Sequence, residues 1–200
     1  MILYGASGHA KVIIDILEKC KVNIDYLVDD DSTIQNLQGY AVVDAKDFRP
    51  SDQDSLIVSI GNNRIRKQIA ESLKLEFSWG IHPSAILGDD VSIDVGTVIM
   101  AGAVINSSTS IGTHCIINTT ASIDHDCQIN DYVHISPNTT LCGSVSIGEG
   151  THIGANATII PNIKIGKWAT IGAGAVIIED VPDGATVVGN PGRIIKTEDV

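Results

Sequence analysis

Ile93-Asp94-Val95-Gly96-Thr97-Val98-Ile99-Met100-Ala101-Gly102-Ala103-Val104-Ile105 is the stretch that decides how this chain is read. A large aliphatic residue stands at every sixth position. The spacing continues unbroken in both directions, back through Leu87 to Ile81 and forward through Ile111, Ile117, Ile123, Ile129, Ile135, Leu141, Ile147, Ile153, Ile159, Ile165 and Ile171 to Ile177. A helix repeats near 3.6 residues and a strand at 2, whereas a hexapeptide repeat wound into a parallel β-helix repeats at six. Four residues after each large one stands a small or β-branched residue, among them Ala85, Thr97, Ala103, Cys115, Ala121, Cys127 and Thr139. The residue just after the large one is often Gly, Asn or Asp, as at Gly88, Asp94, Asn106, Gly112, Asn118 and Asp124. Those types tolerate positive φ, so this position is expected to form the tight corner. Each unit then reads as one short strand and one turn.

The pattern resembles the hexapeptide-repeat acyltransferases, in which three units close a triangular coil and the coils stack as a left-handed parallel β-helix. At a strand spacing of ~4.8 Å, roughly five and a half coils would make a prism about 27 Å tall. Before Ile81 the patterning is different, and the switch divides the chain into residues 1–80 and 81–200. The second part would end in a C-terminal cap.

Composition narrows the function. The net charge is −11 with only 13 Lys plus Arg and no basic run, which argues against a nucleic-acid or acidic-membrane surface. A small-molecule partner is expected instead. Apolar segments such as Val12 to Leu17 are far shorter than a membrane span, and the amino terminus enters a strand-like run without a signal-peptide layout. These features imply a cytoplasmic protein. Of four cysteines, Cys115 and Cys127 occupy inward repeat positions and Cys20 ends a helix-like segment, so no disulfide or zinc framework is expected.

The first part alternates strand and helix. Ile2 to Tyr4 is a short strand running into Gly5-Ala6-Ser7-Gly8-His9, and Ala10 to Cys20 follows with helical spacing at Val12, Ile13, Ile16 and Leu17. Such a turn exposes N–H groups at a helix N-terminus, where phosphate is welcome; a plain tight turn is the other reading, since one glycine of the dinucleotide fingerprint is missing. A strand over Ile24 to Val28 runs into Asp29, Asp30 and Asp31, placed either to meet a ribose or simply to be solvated. Gly39 to Val43 and Leu56 to Ile60 are further strands, and Gly61-Asn62-Asn63-Arg64 opens a helix from Ile65 to about Leu75. Alternating units of this kind make a small parallel, Rossmann-like sheet. Ser7, Gly8, His9, Asp29, Asp30, Gly61 and Asn62 all fall at C-terminal strand ends, where one binding crevice forms.

In the repeats, phase sorts the histidines. His134 and His152 lie one coil apart and should stack on one wall, whereas His125 and His134 are nine residues, half a turn, apart. His125 lies between Asp124 and Asp126 at a corner. A carboxylate beside an imidazole fixes its tautomer and raises its basicity, as suits a general base; a solvated corner residue is the other reading.

Met1 to His9, Asp29-Asp30, Ser59 to Arg64 and Asn118 to Gly143 together resemble the sialic-acid O-acetyltransferase NeuD-type family, closest to its PglD-like nucleotide-linked amino-sugar N-acetyltransferases. The resemblance covers essentially the whole chain. It implies that acetyl passes from acetyl-CoA to the amino group of a 4-amino-deoxy sugar carried on UDP, GDP or dTDP. His125 would be the base, with Asp126 raising its basicity. His134 would contact acetyl-CoA, the main chain at Ala155 and Ala173 would line the coenzyme groove, and Arg193 would meet coenzyme phosphates. The backbone N–H near Gly143 would hold the oxyanion. Ser7, Gly8, His9, Asp29, Asp30 and Gly61 would form the nucleotide-sugar pocket, and Asn118 would touch the sugar. The PglD-like branch carries Glu where this chain has Asp126, which leaves the acceptor open. The γ-class carbonic anhydrases share the prism and bind zinc through histidines, yet no two histidines here stand four or five residues apart, so no metal is expected. A homotrimer with active sites between subunits follows from the half-turn offset and the resemblance. Sialic-acid O-acetylation and a catalytically silent nucleotide-sugar-binding protein are the competing readings.

Overall fold

The computed structural model describes residues 1–51 and 53–200. The amino-terminal part runs β1 (Ile2–Tyr4), α1 (Gly8–Lys19), β2 (Tyr26–Asp29), β3 (Asn36–Leu37), β4 (Tyr40–Asp44), β5 (Ser55–Val58), α2 (Asn63–Ser72) and β6 (Glu76–Phe77). Its sheet order is β3-β4-β2-β1-β5-β6, parallel except for the β3/β4 hairpin. Both helices start two residues before the expected positions. In α2 the reason is visible: the Asn62 side chain accepts from Ile65 N at 3.1 Å and so caps the helix. The chain leaves β1 to one side for β2 and returns on the other side for β5. That reversal opens a crevice beside the C-terminal end of β1. Gly5 makes the turn there, at φ +116, and a Cβ on it would meet Ile60 Cδ1 at 2.6 Å. Only glycine fits.

From Gly80 to Ile177 the chain forms a parallel β-helix of two-residue strands on three walls. The first wall carries Ile81, Ile99, Ile117, Ile135, Ile153 and Ile171. The second carries Leu87 through Ile177, and the third Ile93 through Ile165. Each strand pairs with the one a full coil later, as His134 does with His152. The aliphatic row points inward and is buried from Ile99 to Ile177, together with the small residues between, from Thr97 to Ala175. At the lower end the row is open, and Leu87 is 39% exposed.

The corner chemistry differs from expectation. Positive φ falls three residues after each large aliphatic, at Asp90, Gly96, Gly102, Ser108, His114, Thr120, Asp126 and onward to Gly174, not one residue after. Glycine just after the aliphatic answers a different need, close stacking of coils. A Cβ on Gly112 would stand 2.8 Å from Asp131 N, and one on Gly154 would stand 2.6 Å from Ala173 N. Strands Ala185–Val188 and Arg193–Thr197 cap the prism, the first continuing the first wall and the second pairing with it antiparallel.

The sheet and α1 lie against the lower first wall. Leu3, Ile13, Ile16 and Ile57 share one buried cluster with Val98, Met100 and Ile116.

Candidate functional site

The crevice at the sheet's C-terminal edge is built by strand ends that hold one another. Asp29 Oδ2 accepts from Ala6 N at 2.6 Å and its Oδ1 from Asp31 N at 2.9 Å, so this carboxylate clasps the glycine turn from inside. Ser59 Oγ donates to Gly5 O at 2.7 Å and locks β5 to the same turn. Asp30 is exposed and accepts from Tyr4 Oη at 3.0 Å. Burial, followed by that bond to Asp30, pushes the Tyr4 phenol up to about 12. Ser7 stands at the N-cap of α1 in extended conformation, yet its side chain makes no capping bond. A Cβ on Gly8 or on Gly61 would meet nothing within 4 Å. The crevice therefore offers a free hydroxyl, open backbone and an exposed carboxylate.

The crevice faces the first wall, where the histidines gather. His134 and His152 stack with ring centroids 4.8 Å apart, and His9, from the first turn of α1, lies 6.5 Å from His134. Asn118 Nδ2 is 3.2 Å from His134 Nε2, and Ser136 Oγ is 2.8 Å from His152 Nε2. His9 Nε2 is buried without a partner among the described residues. Burial, then the neighbouring His152, Arg66 and His9, hold His134 down at about 3, and burial with Arg66 holds His9 at about 4. Both rings are neutral at physiological pH, and so suited to accept or donate hydrogen bonds rather than carry charge.

His125 lies elsewhere. It sits at the corner between the second and third walls, on the far side of the prism from the histidine wall. Its Nδ1 is 2.7 Å from Asp126 Oδ2, and both side chains are more than half exposed, at 58% and 59%. Asp124 Oδ1 accepts from His125 N and from Asn106 Nδ2, both at 2.9 Å, and so braces the corner. The bond to Asp126, then the charge of Asp124, raises the imidazole above its ordinary value. Nε2, the basic atom left, makes no hydrogen bond among the described residues. Gly143, one coil above, has its Cα against this ring, and its N–H has no protein acceptor among the described residues.

Ala155 and Ala173 stack one coil apart at the corner between the first and second walls. Their N–H groups also lack protein acceptors among the described residues, while Ala155 O accepts from Gly174 N at 2.8 Å. Arg193 lies in the cap strand beside a cavity of about 300 Å³ that also carries Glu179 and Asp180. The structure thus brings Ser7, Gly8, His9, Asp29, Asp30, Gly61, Asn118 and His134 to one side. It sets His125, Asp126 and Gly143 on another, and Ala155, Ala173 and Arg193 on further edges. Among the described residues no three His, Cys, Asp or Glu side chains converge as metal ligands. All four cysteines are free.

Arg66 escaped the sequence reading. It is buried to 1% exposure where α2 meets the prism. The available signal was its place one turn before Ile69 and Ala70, on the inward face of an amphipathic helix.

Comparisons with known proteins agree with this architecture. A family model described as the PglD N-terminal domain matches residues 1–73, and one described as bacterial transferase hexapeptide (six repeats) matches residues 144–179. UDP-N-acetylbacillosamine N-acetyltransferase from Bacillus subtilis (strain 168) is 43% identical over 108 residues, half of this chain and half of that protein. The chain thus spans half the length of this curated relative. A mutant of perosamine N-acetyltransferase from Caulobacter crescentus, solved with CoA and GDP-perosamine, superimposes with a TM-score of 0.91 at 33% identity, covering 98% of this chain and 96% of that one. The acetyltransferase domain of PglB from Neisseria gonorrhoeae FA1090, solved with acetyl coenzyme A, gives 0.89 at 37% identity, covering 97% and 98%. With identity above 30% across nearly the whole of both chains and both of its domain models matched, the chain belongs to the PglD-like family of hexapeptide-repeat acetyltransferases.

Proposed function

We propose that this protein transfers acetyl from acetyl-CoA to the amino group of a nucleotide-linked 4-amino-deoxy sugar. The single observation that carries the reading is the His125–Asp126 pair, a basic imidazole with its outer nitrogen free beneath the unpaired Gly143 N–H. Residues 1–80 bind the nucleotide sugar through Ser7, Gly8, His9, Asp30, Gly61 and Asn118, while Asp29 keeps the turn in shape. Residues 81–200 bind acetyl-CoA along Ala155 and Ala173, with Arg193 toward its phosphates and His134 toward the acetyl end.

The acceptor amine sheds one proton to solvent and attacks the thioester carbonyl as His125 Nε2 takes the second. A nitrogen–carbon bond forms, and the carbonyl oxygen gathers charge opposite the Gly143 N–H. Collapse breaks the carbon–sulfur bond, and the departing thiolate takes its proton from the imidazolium. Because His125 and the histidine wall lie on opposite sides of one prism, a complete site takes one side from each of two copies. A closed trimer gives three such sites. We place the reaction in the cytoplasm, where acetyl-CoA and nucleotide sugars are made.

The test is turnover with acetyl-CoA and 4-amino sugars linked to UDP, GDP or dTDP, beside free sialic acid, followed by release of free thiol and by product mass. A hydroxylamine-stable acetyl product on one amino sugar is the expected result. Turnover on sialic acid alone would make the protein an O-acetyltransferase. Nucleotide-sugar binding without any transfer would make it a silent binding protein.

A further inference from the structure

Arg66 is a buried guanidinium that pairs with no carboxylate among the described residues, and its hydrogen bonds account for every N–H it has. Nε donates to His114 O at 2.8 Å. One terminal nitrogen donates to Ile60 O at 2.9 Å and Gly61 O at 3.3 Å. The other donates to Asn63 Oδ1 at 2.8 Å and Tyr132 O at 2.9 Å. Five donors meet five acceptors, which only the rigid fork of arginine can do; lysine offers three donors from one point. Burial lowers the guanidinium to about 10, still charged near neutral pH.

The acceptors come from two bodies. His114 and Tyr132 are corner residues one coil apart on the prism, whereas Ile60 and Gly61 form the loop after β5 that lines the crevice. Gly61 also lies close to His134, and its backbone partly offsets the other influences on that imidazole. Nearby, Asn63 Nδ2 donates to Gly150 O at 2.9 Å and Thr151 O at 3.2 Å, and Lys67 Nζ pairs with the Glu149 carboxylate; this ion pair fastens α2 to the prism without touching the loop or Arg66.

We infer that Arg66 is a positioning residue that fixes the Gly61 loop against the histidine wall and thereby sets where the nucleotide sugar lies relative to the prism. This inference builds on the acetyltransferase reading for its kinetic arm only. The charged and titratable groups facing His134 are His152 from the coil above, His9 from α1 and Arg66 from α2. Arg66 therefore also sets a fixed positive charge behind those imidazoles, which opposes their protonation.

The experiment compares Arg66→Lys, Arg66→Met and Lys67→Ala in the full-length protein, with hydrogen exchange and steady-state kinetics. In Arg66→Lys, exchange at the 60–63 amides should rise at least tenfold while amides of the prism strands stay unchanged. The KM for the nucleotide sugar should rise tenfold or more, and that for acetyl-CoA by less than threefold. Arg66→Met should add a higher titration midpoint for the wall histidines by imidazole NMR, an effect no mere packing role would produce. Lys67→Ala, which removes the ion pair between α2 and Glu149 of the prism and touches neither Arg66 nor the loop, should change both KM values by less than threefold. Unchanged loop exchange in a folded Arg66→Lys protein overturns the inference, as does an equal rise in both KM values. If Arg66→Met does not fold, Arg66→Lys decides. If the wild type transfers no acetyl group, the functional reading falls while the exchange result still decides the role of Arg66.

Discussion

Gly143 holds its Cα against the His125 imidazole, so closely that a Cβ there would stand 2.7 Å from Cε1 and 2.8 Å from Nε2. The backbone at Gly143 is not in the left-handed region, so alanine meets no conformational penalty and clashes only with a mobile ring. Gly143→Ala should therefore leave the melting temperature nearly unchanged, within about 1 kcal/mol of stability, while displacing the base. The expected loss in kcat is tenfold or more. A matched loss of stability and activity would show that the glycine serves packing alone.

The pH profile reads the same corner. His125 must be neutral to accept a proton, and Asp126 with Asp124 raises its pKa, so the acidic limb of kcat/KM should fall above the ordinary histidine value of about 6.5. Asp126→Asn removes the charge and keeps the shape. Its limb should move to lower pH, and its plateau should drop roughly tenfold or more as basicity is lost. An unmoved limb would assign the titration to another group.

Two neighbouring carboxylates should behave differently. Asp29→Ala leaves Ala6 N and Asp31 N without their acceptor, and should cost about 1–3 kcal/mol in denaturant unfolding. Asp30→Ala removes only an exposed partner of Tyr4 and should cost less than about 1 kcal/mol. Its signature is kinetic: a rise in the nucleotide-sugar KM with that for acetyl-CoA unchanged.

Acid should weaken the fold before the carboxylates titrate. His114 stacks on Tyr132, abuts Phe77 and buries an unpartnered Nδ1; burial first, then Arg66, lowers it from 6.5 to about 4. A folded-state pKa below the unfolded one means that the unfolded chain binds the extra proton between those values. Stability is then intact above pH 6.5 and declines as pH falls toward 4, by a few kcal/mol for such a shift. His114→Phe keeps the stacked ring and removes the titration. Its melting temperature should fall less than that of the wild type over this window, and an equal fall would place the acid sensitivity in His9 and His134.

Complementation tests the shared site. His125→Ala and His134→Ala should each be impaired, with His125→Ala down by ~10²–10⁴ in kcat, the range for loss of a general base. Unfolded and refolded together, they should regain activity through interfaces that pair an intact His125 with an intact His134. Mixed assemblies that form, yet stay at the level of the separate variants, would place the whole site within one chain.

Much of this was legible in the residues. The six-residue row fixed the three walls, because inward aliphatic positions are a matter of burial, and burial follows periodicity. The stacking of His134 on His152 and their separation from His125 followed from counting coils. The corner conformation was misplaced by two residues because Gly and Asn were read as conformational signals when several serve close approach between coils. Tyr132, Trp168 and His114 hold the left-handed position despite their bulk, their rings lying over the neighbouring coils, as His114 does over Gly96. Arg66 was hard to read for a related reason. Four of its five partners are main-chain carbonyl oxygens, which every residue possesses, so only its place on the helix announced it.

The uniform coil also makes the prism a graduated ruler. Each turn adds the same rise, close to the ~4.8 Å strand spacing, so Gly143 stands one whole turn above His125 and Ala173 one whole turn above Ala155, each pair on its own corner. An inserted hexapeptide would keep the inward row in phase yet rotate everything above it by one wall, whereas an inserted full coil would leave every corner aligned and only lengthen the scale. Complete turns are thereby the unit in which such a prism can lengthen while its corners keep their places.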